Sequence, residues 1–160
     1  MNKDFVDHFW ADDYFNCMVA DFCSEWDVLC PHFYLSGYNG IFIMKIFGKH
    51  VISAPESKIS VLSQIINRGY DLYEPGLLQT LLADSFDCYI GPAWIAYPGD
   101  ENPFRSRGCA KNVLQLITEF SRQQGLIPQY RTLRSNAPAI KAALDCGYTE
   151  YASHISIRLR

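Results

Sequence analysis

The sequence predicts an α/β (α+β) fold, and three observations lead there. Residues 93–158 alternate as strand, glycine-containing loop, helix, strand, helix, strand. Residues 40–54 read as a β-hairpin. Residues 110–120 carry one apolar stripe at helical spacing.

The elements follow in chain order. Phe15, Met18, Val19 and Phe22 fall at helical spacing and predict a helix over 12–23. Gly40 to Ile46 is a β-rich run, residues 47–49 turn, and His50 to Ala54 returns until Pro55 stops it. Ile59, Leu62, Ile65 and Ile66 predict a helix over 57–68 with Ser57 as its cap and Gly69 as its stop. A shorter helix spans 75–83, and 86–97 reads as a strand interrupted at Gly91-Pro92. Residues 98–104 are turn chemistry throughout.

Ala110, Val113, Leu114, Ile117 and Phe120 then form the inward stripe of a helix that ends at Gly125. A strand over 128–134 follows, and this strand–helix–strand unit predicts a right-handed parallel crossover. Asn136 and Pro138 open a last helix that carries Ala139, Ile140, Ala143 and Leu144 inward and stops at Gly147. Ile155, Ile157 and Leu159 alternate with polar residues, as in a half-buried strand.

Bulk properties narrow the class. The 160 residues suit one domain, with 1–92 and 93–160 as its two parts. With 49% hydrophobic and 19% charged residues the chain is globular rather than disordered. It has no apolar run long enough for a membrane helix and no secretory leader pattern, so the expected location is the cytoplasm. The six cysteines form no C-x-x-C pair and no zinc spacing, so they are expected as free thiols without a metal.

Charge is divided along the chain. Residues 1–100 hold 5 Lys/Arg against 13 Asp/Glu, and residues 101–160 hold 9 against 4. An acidic first part favours a cationic partner and a basic second part an anionic one. The acidic pI of about 5.7 argues against a nucleic-acid partner.

The chemistry concentrates in Arg105-Ser106-Arg107-Gly108-Cys109-Ala110, at the start of an amphipathic helix. Backbone N–H groups there lack intrahelical partners, and the helix dipole adds partial positive charge. A glycine admits close approach of a ligand, and two arginines add forked donors. The residues alone leave two readings open, a phosphate cradle or a surface loop.

This hexad, R-x-x-G-x-A, resembles the acetyl-CoA pyrophosphate loop of the GNAT acetyltransferases. The likeness continues through Tyr130, Asn136, Ala139 and the Gly147-Tyr148 pair, and covers residues 93–158. It implies a mixed central sheet flanked by helices and acetyl-CoA as co-substrate. Ile95, Ala96 and Tyr97 would run beside the pantetheine arm and hydrogen-bond it through the backbone. Arg105 to Ala110 would hold the pyrophosphate, and Asn136 would lie near the pantetheine and thioester, where two parallel strands splay. An amine acceptor, cationic by the charge argument, completes the implied reaction, and a homodimer is compatible with it.

Two departures stand out. The loop from Tyr97 to Arg105 is long and holds Pro98 and Pro103, and Ala143 stands where many members carry a tyrosine acid. Tyr148, Tyr130 or Tyr97 are the substitutes for that acid, and Asp87, Asp100 or Glu101 the candidates for a base. Cys109 would present its backbone to phosphate rather than act as a nucleophile. Without an evident acid or base, the alternative is a non-catalytic domain of the same fold that binds CoA or a partner.

Overall fold

A computed structural model describes residues 3–32, 39–82, 86–99 and 108–160. Helix α1 (Lys3–His8) runs into a π-helical segment (Phe9–Phe15), and α2 (Val19–Phe22) follows. The chain continues as β1 (Val28–Pro31), β2 (Gly40–Ile46), β3 (Lys49–Ala54), α3 (Glu56–Asn67), α4 (Pro75–Leu82) and β4 (Phe86–Pro98). It ends with α5 (Cys109–Gln123), β5 (Tyr130–Leu133), α6 (Ala137–Leu144) and β6 (Tyr148–Leu159).

The six strands form one mixed sheet in the order β1-β3-β2-β6-β4-β5, flanked by helices. By contacts the chain divides into two compact units, Asn2–Gly91 with His154–Arg160, and Pro92–Ser153. No helix among the described residues is long and apolar enough to cross a membrane.

The first unit is built on the expected hairpin. Its turn is two residues, Phe47 (φ 52°) and Gly48 (φ 82°), so β3 begins one residue earlier than the sequence predicts. Positive φ at both positions matches the twist of the flanking strands. β1, which periodicity did not announce, adds parallel to β3. Ile41, Ile43, Ile52, Ile155 and Ile157 face α3 and α4, which contribute Leu62, Ile65 and Leu78 to one buried cluster. The alternation predicted for the last strand is realised there. Ser57 does not cap α3, because the helix already begins at Glu56 after Pro55.

An aromatic layer of Trp10, Tyr14, Phe15 and Phe42 belongs to the same unit. The single helix expected over 12–23 is broken here. Asn16 takes the left-handed conformation (φ 52°), which an asparagine tolerates better than most residues. The break leaves Met18 68% exposed while Phe15 and Phe22 stay buried.

Strand β4 runs unbroken through Gly91, where φ is 132° and an added Cβ would lie 2.8 Å from the His154 carbonyl oxygen. A glycine is required at so close a backbone approach.

In Pro92–Ser153 the sheet corrects one expectation. β5 pairs with β4 antiparallel, Ala93 opposite Leu133 through Ala96 opposite Tyr130, so the parallel crossover is not formed. This direction brings the Arg134 N–H to the Pro92 carbonyl at 2.9 Å, and the Arg134 guanidinium pairs with Glu150. The same carboxylate accepts the Trp94 indole N–H at 2.8 Å.

Helix α5 is also turned from the expected orientation. Val113 (54%), Ile117 (55%) and Phe120 (64%) are exposed, whereas Thr118 is buried. The cause is polar anchoring. Thr118 Oγ1 lies 2.6 Å from the Tyr148 hydroxyl, and Lys111 pairs with Asp145. Leu144 of α6 faces outward as well, while Ala143 is buried with Trp94, Ala96, Cys146 and Tyr148.

Candidate functional site

The N-terminal ends of α5 and α6 frame the site. Gly108 precedes α5 with extended backbone and, as a glycine, brings no side-chain cap of its own; among the described residues a Cβ there would meet nothing within 4 Å. The amides of a first helical turn have no intrahelical partners and are donors to a ligand. At α6, Asn136 acts as the N-cap, its Oδ1 accepting from the Ala139 N–H at 3.3 Å.

Between these helices lies an apolar cleft of about 550 Å³. Ala110, Val113, Leu114 and Ile117 of α5 line one wall, and Pro138, Ala139 and Ala142 of α6 the other, with Tyr130 of β5 at the base. The exposed stripe on α5 is thus one wall of a groove. Sequence periodicity marked those residues but assigned them to the core, since spacing alone does not say which surface an apolar face meets.

Tyr130 is half-buried, edge-on to Trp94 at 6.3 Å and to Tyr148 at 5.8 Å. Tyr148 itself is buried, and burial pushes its phenol up, with the Thr118 hydrogen bond opposing. At α5's first turn the Lys111 ammonium holds the Asp145 carboxyl below the usual carboxylate range, with Lys141 adding to the effect.

The remaining sequence candidates divide. Ile95, Ala96 and Tyr97 are buried. Ile95 and Ala96 are paired antiparallel with β5, so the parallel strand pair implied by the resemblance is not formed at these positions. Beyond the ladder, Gln129 Nε2 donates to the Tyr97 hydroxyl at 2.7 Å and Thr149 Oγ1 to the Tyr97 carbonyl at 3.4 Å. Asp87 is exposed, 3.8 Å from Arg158, and belongs to the other unit. Asp100, Glu101, Arg105, Ser106 and Arg107 lie outside the described residues.

Among the described residues no group of three His, Cys, Asp or Glu side chains could hold a metal ion. Comparison with known proteins adds one likeness. The chain is similar in structure to an acetyltransferase from the GNAT family from Colwellia psychrerythraea. Identity is 18% and the TM-score 0.30, over 77% of this chain and 56% of that one. The match thus spans little more than half of that protein's length. No protein-family model matches the chain, and no curated protein matches it.

Proposed function

We propose that this chain is a GNAT-like acyltransferase that takes its acyl group from acetyl-CoA and passes it to a primary amine. The observation that carries the reading is the apolar cleft between α5 and α6, beside the N-terminus of α5 that Gly108 opens. That combination suits a ligand with an anionic diphosphate and a long, weakly polar arm.

In this reading the Gly108, Cys109 and Ala110 amides hold the diphosphate together with Arg105, Ser106 and Arg107. Val113, Leu114, Ile117 and Ala142 enclose the arm. The thioester supplies the activated carbonyl. Tyr130, the phenol on the cleft lining, protonates the leaving sulfur. Acidic residues of the 98–104 segment, Asp100 and Glu101, draw a proton from the attacking ammonium. The net negative charge of residues 1–100 favours a cationic acceptor. The chain acts as one domain, in the cytoplasm, and residues 1–92 supply the groups that select the acceptor.

One observation favours a second reading, a domain that binds CoA without transferring the acyl group. Ile95 and Ala96 lie within the β4–β5 ladder, where the sheet competes with the arm for their backbone groups. A single pair of measurements separates the two. Calorimetric titration with acetyl-CoA reports binding, and release of free CoA with a panel of amines reports transfer. Binding with turnover supports the enzyme, binding without turnover the second reading, and no binding sinks both.

A further inference from the structure

Helix α5 carries more apolar surface than its cleft uses. Leu116 is 67% exposed, and Val113, Ile117 and Phe120 are each more than half exposed. Their spacing, i, i+3, i+4 and i+7, puts all four on one face, as in a seam that packs against another helix. Beyond the helix the Gly125 N–H donates to the Arg122 carbonyl and the Leu126 N–H to the Ser121 carbonyl, each at 2.9 Å, with Gly125 at φ 70°. This paired cap folds the chain back on the last turn, so Leu126, 62% exposed, prolongs the stripe past Phe120.

Five large apolar side chains so exposed on one face come to on the order of 600 Å², the upper end of what a monomer keeps as its largest patch. With the polar residues around them the face approaches the ~800 Å² that each partner brings to a standard interface. Contacts on the opposite side of α5 hold the stripe outward. Thr118 is buried beside Tyr148, Lys111 is held by Asp145, and the Arg122 guanidinium donates to the Gly99 carbonyl at 2.7 Å. Those contacts also take the cations of α5 away from the stripe. Asn112, Ser121, Gln123 and Gln124 border it, all uncharged, and Glu119 stands farther round the helix.

The composition of this face selects its partner. A charged partner finds no complementary row along it, and a lipid surface finds no basic rim. A second copy of the face meets no like charge. The spacing is also palindromic. A two-fold axis across the helix between residues 116 and 117 sets Leu116 against Ile117 of the partner subunit. The same axis sets Val113 against Phe120 of the partner subunit, a small side chain against a large one.

We infer that the chain forms a homodimer in which two α5 helices pack antiparallel through Val113, Leu116, Ile117 and Phe120, with Leu126 at each end of the seam. Val113 and Ile117 also line the cleft, so the partner's helix walls its open side. The dimer needs no ligand, and it stands or falls apart from the acyl-transfer reading.

The test is sedimentation equilibrium of the full chain without ligand, over the micromolar range, with reductant present so that the thiols stay free. The expected result is a reversible monomer–dimer equilibrium with a dimer of twice the 18.3 kDa chain mass. Leu116→Glu and Ile117→Lys should each weaken it at least about a hundredfold, since a two-fold interface carries each change twice beside its axis. Phe120→Glu, a turn from the axis, should do the same. Mixed in equal amounts, the Leu116→Glu and Ile117→Lys chains should dimerise again. The new carboxylate then faces the new ammonium, and the second pair remains isoleucine against leucine. Met18→Glu, at an exposed apolar residue of the other unit, should leave the equilibrium unchanged. The replaced side chains are all more than half exposed, and circular dichroism should show the parent's helix content in each variant. A parent that stays monomeric, or a dimer that survives all three α5 substitutions, would overturn the proposal. So would an equal mixture of the two complementary variants that stays monomeric.

Discussion

Tyr148 donates its phenolic proton to Thr118 Oγ1 across 2.6 Å, because the single Thr118 proton goes to the Leu114 carbonyl at 2.7 Å. The donor that a general acid would need is therefore already engaged, in a buried pair that clamps β6 to α5. Tyr148→Phe should lower stability by about 1 kcal/mol, the usual net value of one hydrogen bond. It should leave acyl transfer within about threefold of the parent, because a structural clamp adds nothing to the proton transfer itself. Urea unfolding and steady-state kinetics on the same preparation check both halves.

Tyr130 should behave in the opposite way. Tyr130→Phe keeps the ring against Trp94 and Tyr148 but removes the hydroxyl at the cleft. Turnover should fall by roughly 10²-fold, within the range of general acid catalysis, while acetyl-CoA affinity stays unchanged. An unaltered kcat would remove Tyr130 as the acid.

Gly108 lies before α5 with an extended backbone that any residue adopts, and among the described residues nothing lies within 4 Å of an added Cβ. Gly108→Glu should therefore leave the melting temperature unchanged. It should weaken acetyl-CoA binding at least about tenfold, since a carboxylate would occupy the diphosphate position and repel it. Calorimetric titration beside a thermal melt separates the two effects.

The His32 imidazole sits between Ser53 Oγ at its Nδ1 and the Gly40 carbonyl at its Nε2, each at 2.6 Å. The neutral ring satisfies both, donating to the carbonyl and accepting from the serine. Burial lowers its pKa from 6.5, with the Gly40 hydrogen bond opposing. The unfolded chain therefore binds the proton first as pH falls. The contribution to stability is complete above about pH 6.5 and is lost as pH drops from there towards the folded-state value. Urea midpoints measured between about pH 5 and 8 should decline on the acid side, and His32→Gln should flatten that decline.

Gly91→Ala should cost about 3 kcal/mol. The new Cβ would lie 2.8 Å from both the His154 carbonyl oxygen and Ile155 Cγ2, at a φ that alanine rarely adopts. A shift of the urea midpoint without change of slope would match this expectation.

The sequence made the local elements legible where one periodicity dominated. The hairpin, α3, α4 and the alternating β6 follow from spacing and from Pro55, Gly48 and Gly69. It did not show that Asn16 would break the first helix, since asparagine is compatible with either state. Nor did spacing reveal the direction of β5 beside β4, because direction belongs to the pairing of two strands and not to the alternation within either. For the site, Gly108 and Ala110 were legible from the loop, and Tyr130 was one of several aromatic candidates. The cleft was hidden because Val113 and Ile117 read as core. Their exposure follows from the anchoring of Thr118 and Lys111 on the opposite face, a tertiary outcome that no single-helix pattern contains.

The contact between Trp94 and Tyr130 gives the chain an optical property. Of its three indoles, Trp26 is 78% exposed and emits as in water, whereas Trp10 and Trp94 are each 2% exposed. Trp94 touches Tyr130 of the cleft lining, and its N–H is bound to a carboxylate. Any molecule that displaces Tyr130 will alter the emission of Trp94, and a Trp10→Phe, Trp26→Phe background will isolate that signal. Occupancy of the groove can then be followed by light, without a label and without a known substrate.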